Sequence, residues 1–462
     1  MRFTDRESEL KRLHDLYNSD KAELCVIYGR RRIGKTELVK HSVKDREGVV
    51  AYQAREKTKS LQLEQFIDVA AEIYPEIKRI KMEWGPILRF LSEKDAVIIL
   101  DEFPYLVESD PSLPSELQSM FDHELSDSST TMILVGSSIS MMEEAALLGH
   151  SPLYGRATDR IDLGPLPFGA ALDFFQTGYS AEEKVIIWSV FGGVPYYLEK
   201  ATGAPSLEEA VSESILYKDS PLRHEPEYVL RMELTEPVRY FSILEAIAGG
   251  AAVQNEIAQT SGIDREQVSK YLSRLEHLRL IERRVPVTEK KERSRRGRYF
   301  IKDPLFRFWF RFIYGTGTRY DEFGDESFKD LIEPELADFA SQEFETLCVK
   351  VLRTLYPDHV ITDVGKWWYK DHEIDVVGLT NKDTLILGEC KFTNSKVGYD
   401  VFSKLEGHAK NLRWTPKSGK DRRIEYALFS KNGFKRSLKE AVEDRNDLRL
   451  FSVEDVVEKL SH

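Results

Sequence analysis

The tightest constraint in this chain is a strand signal that runs straight into a glycine loop and then a helix. Leu24-Cys25-Val26-Ile27-Tyr28 is a short apolar run, Gly29-Arg30-Arg31-Arg32-Ile33-Gly34-Lys35-Thr36 follows at once, and Glu37 to His41 continues as a helix. Strand, glycine loop and helix N-terminus is the context that turns the GxxxxGKT pattern into a phosphate site. Gly29 and Gly34 let backbone N–H groups converge on phosphates, Lys35 can lie beside the terminal ones, and the Thr36 hydroxyl can hold magnesium. A glycine turn with a solvated basic cluster has the same spelling, so a second signal is needed.

Val97-Ile98-Ile99-Leu100 supplies it: a continuous apolar run of the kind buried parallel strands require, ending in Asp101-Glu102. Asp101 is placed for the magnesium shell and Glu102 for polarising an attacking water. A third run, Thr131-Met132-Ile133-Leu134-Val135, ends in Gly136-Ser137-Ser138. Three apolar strands with polar C-terminal ends fit ligand binding at one edge of an open α/β sheet. Ser137 or Ser138 is then a candidate sensor of the γ-phosphate of ATP.

At 462 residues the chain exceeds one hydrophobic core, so two to four domains are expected. Hydrophobic residues at 41% and charged ones at 31% exclude a disordered chain. Cys25, Cys348 and Cys390 are odd in number and widely spaced, which argues against a disulfide framework and for a reducing cytoplasm. No apolar stretch reaches about 18 residues, and the N-terminus is charged from Arg2, so neither membrane spanning nor export is expected. The net charge of −12 repels a polyanion on average, but nucleic acid is met by local patches.

The N-terminal residues resemble the archaeal ATPase family of the AAA+/STAND superclass. The likeness rests on Phe3, Arg6, Glu7 and Glu9, the GRRRIGKT loop, the LDEF and ILVGSS strand ends, Pro152-Leu153-Tyr154-Gly155-Arg156 and Gly192-Gly193-Val194-Pro195. It implies that Arg6 and Pro195 lie near the nucleotide and that Arg156 senses phosphate, within or between chains. From the residues alone, Arg156 reads equally as a surface salt-bridge partner, and Pro195 as a helix terminator.

From Glu236 the pattern turns helical. Phe241, Leu244 and Ile247 mark one face, Asn255 to Ala258 begin a second helix, and Asp264 with Gln267 spells a capping box for a third. On that helix Arg265, Gln267, Ser269, Lys270 and Arg274 stay on polar faces, available to phosphates or base edges. A polar hairpin from Glu289 to Arg298 carries six basic and two acidic side chains. Residues 241–300 hold 12 Lys/Arg against 8 Asp/Glu, a local positive surplus in an acidic chain. The segment resembles the winged helix found after the ATPase in this family. Arg295, Arg296 and Arg298 are its candidates for positioning phosphate. The aromatics from Tyr299 to Tyr314 read as buried between domains, and Asp321 to Asp330 as a linker.

Near the C-terminus, Pro334 to Leu355 reads as a long helix bearing Glu345. Ile374-Asp375-Val376-Val377 and Thr384 to Lys391 read as a strand pair. If the hairpin is symmetric about Lys382, Asp375 lies opposite Glu389, with Lys391 on the same face as Glu389 and Cys390 turned away. Facing carboxylates repel unless a cation sits between them, and magnesium is the expected hard ion. Asp375 and Glu389 are its candidate ligands and Glu345 a third, while Lys391 orients water or stabilises charge on phosphate. The arrangement resembles the PD-(D/E)XK nuclease superfamily, although Ile374-Asp375 replaces the proline-aspartate pair. His372 flanks the carboxylates and reads as an exposed turn residue.

The expected fold is multidomain α/β. A P-loop NTPase parallel sheet with a helical lid covers 1–235, a winged helix-turn-helix with an aromatic connecting segment 236–318, and a restriction-endonuclease-like α/β domain 319–462. The expected function is ATP- and magnesium-dependent binding and cleavage of nucleic acid, DNA in the first instance, by a cytoplasmic protein that can form a homo-oligomer. The rival expectation is a non-nucleolytic ATP-dependent DNA-binding regulator or sensor switch.

Overall fold

The structure is a computed structural model and describes residues 3–125, 128–175, 178–416, 419 and 421–461. The chain divides into two compact units, Met1–Leu166 with Val194–Tyr196, and Pro167–Gly193 with Tyr197–His462.

In the first unit the apolar runs become strands β1 (Glu23–Tyr28), β2 (Val49–Gln53), β3 (Val97–Asp101) and β4 (Thr131–Gly136), joined by β5 (Asp159–Asp162). They form one parallel sheet in the order β2-β3-β4-β1-β5. Every residue of β3 and β4 is buried, as in a parallel sheet covered on both faces, with the polar Asp101 and Thr131 only at strand ends. The core is sealed by Phe66, which meets Tyr52 edge-on at 5.7 Å and Trp84 at 5.3 Å. All five strands point their C-terminal ends the same way, so the residues that follow β1, β3, β4 and β5 share one edge of the sheet.

The second unit contains three consecutive helices, Pro237–Ala248, Gln254–Ser261 and Arg265–His277. They lead into a small antiparallel hairpin of β6 (Ile281–Arg284) and β7 (Arg298–Ile301). Gly262, at φ 68°, supplies the left-handed turn between the second and third helices. The expected capping box at Asp264 does not form: its side chain makes no cap bond, and Gln267 instead accepts a hydrogen bond from Arg239 at 3.1 Å. Phe306, Phe308, Trp309, Phe310 and Phe312 are buried, as their apolar area demands. Asp321–Asp330 is not an open linker. It is built of short helical turns in which Phe328 is buried and the Ser327 hydroxyl donates to Tyr320 O and Gly324 O.

A separate sheet follows, in the order β12-β11-β10-β9-β8. It is built from β8 (Ile361–Tyr369), β9 (His372–Thr380), β10 (Thr384–Lys391), β11 (Arg423–Ser430) and β12 (Leu448–Ser452). The β8, β9 and β10 neighbours are antiparallel, and β10, β11 and β12 run parallel. The helix Glu333–Leu355 packs on β8, β9 and β10, and the helix Tyr399–Ala409 connects β10 to β11.

Phe66 is fully buried, so Phe66→Ala is expected to lower the unfolding free energy of the first unit by about 3–5 kcal/mol, read from urea melts followed by circular dichroism.

Candidate nucleotide site and C-terminal acidic centre

The loop after β1 is shaped by backbone that few side chains allow. Gly29 has φ 146°, and a Cβ there would sit 2.3 Å from the carbonyl oxygen of Leu163, just beyond β5. Arg32 and Gly34 also take positive φ, at 71° and 91°, and Gly34 caps the helix Lys35–Ser42. The N-terminus of that helix turns its first N–H groups and the positive end of its dipole toward the loop, the arrangement an anion needs. Lys35 is buried and donates to Gly29 O at 2.9 Å and Arg30 O at 2.8 Å, so its ammonium lies over the loop itself.

Thr36 and Asp101 come together although 65 positions separate them: the hydroxyl donates to Asp101 Oδ2 at 2.9 Å. Burial, and the charge of Glu102 behind it, push the Asp101 carboxyl above its usual range against the opposing pull of Thr36 and Lys35. A hydroxyl beside a desolvated carboxylate is a donor set suited to a hard divalent ion. Glu102 has left-handed backbone, φ 54°. Its carboxylate accepts from the Ser137 hydroxyl at 2.6 and 2.9 Å, so Ser137 is turned onto Glu102 in this arrangement. Ser138 caps a short helix through Met141 N. An open cavity of about 190 Å³ adjoins Thr36 and Asp101, with Tyr52, Gln53 and Val135 in its wall.

Of the more distant candidates, Arg6 is buried and donates to Gly164 O at 2.7 Å, one residue from the Leu163 carbonyl that abuts Gly29. Pro195 lies beside the loop, its Cγ 4.0 Å from where a Cβ on Gly34 would be, and Tyr196 stacks under Arg32 at 4.2 Å. Arg156 instead forms a two-pronged pair with Asp122, at 3.2 and 2.9 Å, the surface arrangement that its residue type allows.

In the second unit the β9–β10 register is symmetric about Lys382 as far as Gly388 with Val376, and Glu389 and Asp375 occupy the next positions beyond that last pair. Asp375 Oδ2 accepts the backbone N–H of Cys390 at 3.0 Å, which ties it to β10. Lys391 donates to Glu389 at 2.7 Å, and Cys390 is buried on the other side of the strand. Burial and then the charge of Asp375 raise the Glu389 carboxyl, with Lys391 and Lys404 opposing. Glu345 is pushed up to about 7 for the same two reasons, burial first and Asp375 second. Asp375 is thus the common neighbour of both glutamates.

The sequence reading missed Lys366. Its ammonium forms an ion pair with Glu345, and despite burial the charges of Glu345 and Asp375 hold its pKa above the ordinary lysine value. Lys366 lies where the β8–β9 register shifts between Gly365 and Trp367, and a bulge re-aims side chains in a way that alternation does not foretell. Among the described residues no group of three or more His, Cys, Asp or Glu side chains is disposed to hold a metal ion. Glu345, Asp375 and Glu389 therefore meet pairwise, each glutamate with its own lysine. The residue types suit magnesium, and the ion pair at Glu345 would have to open for all three to share it. His372 is half-buried rather than an exposed turn residue, its ring edge-on to His408 at 5.2 Å.

Residues 3–201 match the model of an ATPase domain predominantly from Archaea, and residues 309–401 that of archaeal and bacterial proteins of unknown function. An uncharacterized protein of Methanocaldococcus jannaschii is 36% identical over 383 residues, 82% of this chain and 85% of that one. The chain belongs to this archaeal ATPase family. An uncharacterized ATP-binding protein of Pyrococcus abyssi is 26% identical over 282 residues, 51% of this chain and 82% of its own length. Among solved structures, the Aeropyrum pernix ORC2 protein in its ADPNP–ADP complexes covers 69% of this chain and 95% of its own. Its TM-score is 0.46 and its identity 17%, a superposition too loose to bear on function. ATP binding and an ATPase-like activity go with this family ATPase's first unit. No helix among the described residues is long and apolar enough to cross a membrane.

Because any Cβ at Gly29 would strike Leu163 O, Gly29→Ala is expected to weaken ATP binding at least about tenfold, measured by calorimetric titration.

Proposed function

We propose that this family ATPase processes nucleic acid, DNA in the first instance, and that its C-terminal centre hydrolyses a phosphodiester under the control of ATP. Residues 1–235 would be the ATPase with its lid, 236–318 a winged helix with its aromatic connector, and 319–462 a nuclease-like domain of the PD-(D/E)XK type. Three helices followed by the β6–β7 hairpin support the second assignment. The helix Glu333–Leu355, the antiparallel β8–β9–β10 strands and the parallel β11 support the third.

The observation that carries the reading is Asp375 tied to β10 through the Cys390 amide, with Lys391 bonded to Glu389 on that strand and Lys366 paired with Glu345, both glutamates lying within reach of the Asp375 charge. Buried like charges are costly, and a site that gathers them is usually built for a cation or a proton. Magnesium, when bound, would supply Lewis acidity and a water of lowered pKa. Lys391 would hold a water near Glu389 and offset the charge that grows on phosphate as water adds to phosphorus and a P–O ester bond breaks. Thr36 and Asp101 would serve the magnesium of ATP, and Glu102, once released from Ser137, would polarise the water that attacks the γ-phosphate. Arg6 and Pro195 flank that loop, and Arg156 would reach phosphate only by leaving Asp122, within one chain or across a homo-oligomer. Three free, buried cysteines suit a reducing cytoplasm.

A second reading is favoured by the Lys366–Glu345 pair, which neutralises one carboxylate without any metal. Here the protein is a non-nucleolytic ATP switch that binds DNA, so Lys35→Ala abolishes its nucleotide response and Glu389→Ala changes nothing.

The deciding assay offers single-stranded, duplex and branched DNA, and RNA, with magnesium or manganese, with and without ATP. Cleavage by the wild-type protein is expected to fall at least about a hundredfold in Asp375→Ala and in Lys391→Ala. A wild-type protein inert on every substrate would sink the nuclease reading.

A further inference from the structure

We infer that the turn of the β6–β7 hairpin and the tip of the β8–β9 hairpin form one surface for single-stranded nucleic acid, with phosphates on the turn's cations and a base stacked on Tyr369. The inference rests on the nucleic-acid reading above and specifies which form of the polymer is held and by what.

The two hairpins are joined by paired bonds. Arg296 Nη1 donates to Trp368 O at 3.0 Å, and Trp368 Nε1 donates back to Arg296 O at 3.0 Å. Arg298 donates to Glu373 at 2.9 Å and its guanidinium lies 4.7 Å from the centre of the Trp368 ring. Val287 N donates to Lys366 O at 2.9 Å. Arg296 and Arg298, singled out above as phosphate ligands, are thus half-buried and engaged with the C-terminal sheet.

That leaves Lys290, Arg293 and Arg295 on the outside. All three are exposed, and among the described residues none of them forms an ion pair, whereas Lys291 is tied to Glu276 at 2.7 Å. They line an open cavity of about 430 Å³ with Glu289, Ser294 and Arg296. Glu289 is itself paired with Arg296, so the wall facing solvent is positive. Such a wall recruits phosphate by releasing counterions.

Tyr369 stands at the hairpin tip, 42% exposed, although its ring is large and apolar. Arg296 lies 5.1 Å and Lys370 5.5 Å from the ring centre. In a duplex the base faces are already stacked on one another, so a ring beside cations finds no partner there. An unpaired nucleotide offers a π-face, and stacking of this kind tolerates any base.

The test is fluorescence anisotropy of a labelled oligodeoxythymidine and of its duplex with oligodeoxyadenosine, using the full chain without divalent metal and across a salt series. Single strand is expected to bind at least about tenfold tighter than duplex. Tyr369→Ala is expected to lose about tenfold on the single strand, whereas Tyr369→Phe keeps its affinity. The Arg293→Ala/Arg295→Ala variant should lower the salt slope by about 1.4, at about 0.7 per single-strand phosphate contact. If Tyr369→Ala loses its circular dichroism, Tyr369→Leu replaces it with the same expectation, since it keeps bulk without a π-face. Duplex bound as well as single strand, or Tyr369→Ala binding like the wild type, or an unchanged salt slope, would each overturn the inference while leaving nucleic-acid binding intact. Wild-type protein that binds neither polymer overturns both.

Discussion

The C-terminal unit is organised around a conflict of charge. Glu345, Asp375 and Glu389 share one poorly solvated corner, and the two glutamates hold a proton more readily than usual because burial disfavours their charge and Asp375 adds its repulsion to both. An uncompensated buried charge costs several kcal/mol, so the corner survives only with cations at hand. Lys366 and Lys391 supply them from strands on either side of β9. Asp375 cannot drift, because the Cys390 amide holds one of its oxygens. A one-residue slip of β9 against β10 would turn Asp375 to the opposite face and remove the corner, so the register of an otherwise ordinary sheet becomes the condition for any chemistry there.

The first unit meets a similar demand with strained backbone as well as with a buried lysine, Lys35. Glu102 takes a left-handed conformation that a glutamate rarely adopts, at the point where β3 hands over to the next helix. The strain turns its carboxylate onto Ser137 and leaves Asp101 facing Thr36. Gly29 accepts an even tighter position beneath Leu163. Both are places where local preference yields to the needs of a ligand-facing strand end.

Much of this was legible in the sequence because it follows short-range periodicity. Continuous apolar runs gave β1, β3 and β4, period two gave Glu389 with Lys391, and the Lys382-centred hairpin gave Asp375 opposite Glu389. What escaped depends on contacts between distant segments. Lys366 meets Glu345 where an extra residue in β9 shifts its register against β8. Arg296 and Arg298 look like free hairpin cations until Trp368 and Glu373 arrive from the next sheet. Asp264 and Gln267 spell a cap, yet Arg239 from another helix claims Gln267. Asp321–Asp330 has a linker's composition, and tertiary packing of Phe328 makes it helical. Arg156 had two readings from sequence, and Asp122, 34 residues away, occupies it here.

Whether the proposed acidic corner holds a cation is read most directly from calorimetric titration of manganese into the nucleotide-free full chain and into its Asp375→Asn variant. The variant is expected to bind one manganese ion fewer than the wild-type protein, since that carboxylate is the neighbour common to both glutamates, whatever the Thr36–Asp101 pair binds in each. A wild-type protein that binds no ion, or a variant with the same stoichiometry and affinity, would rule out a cation site at Asp375.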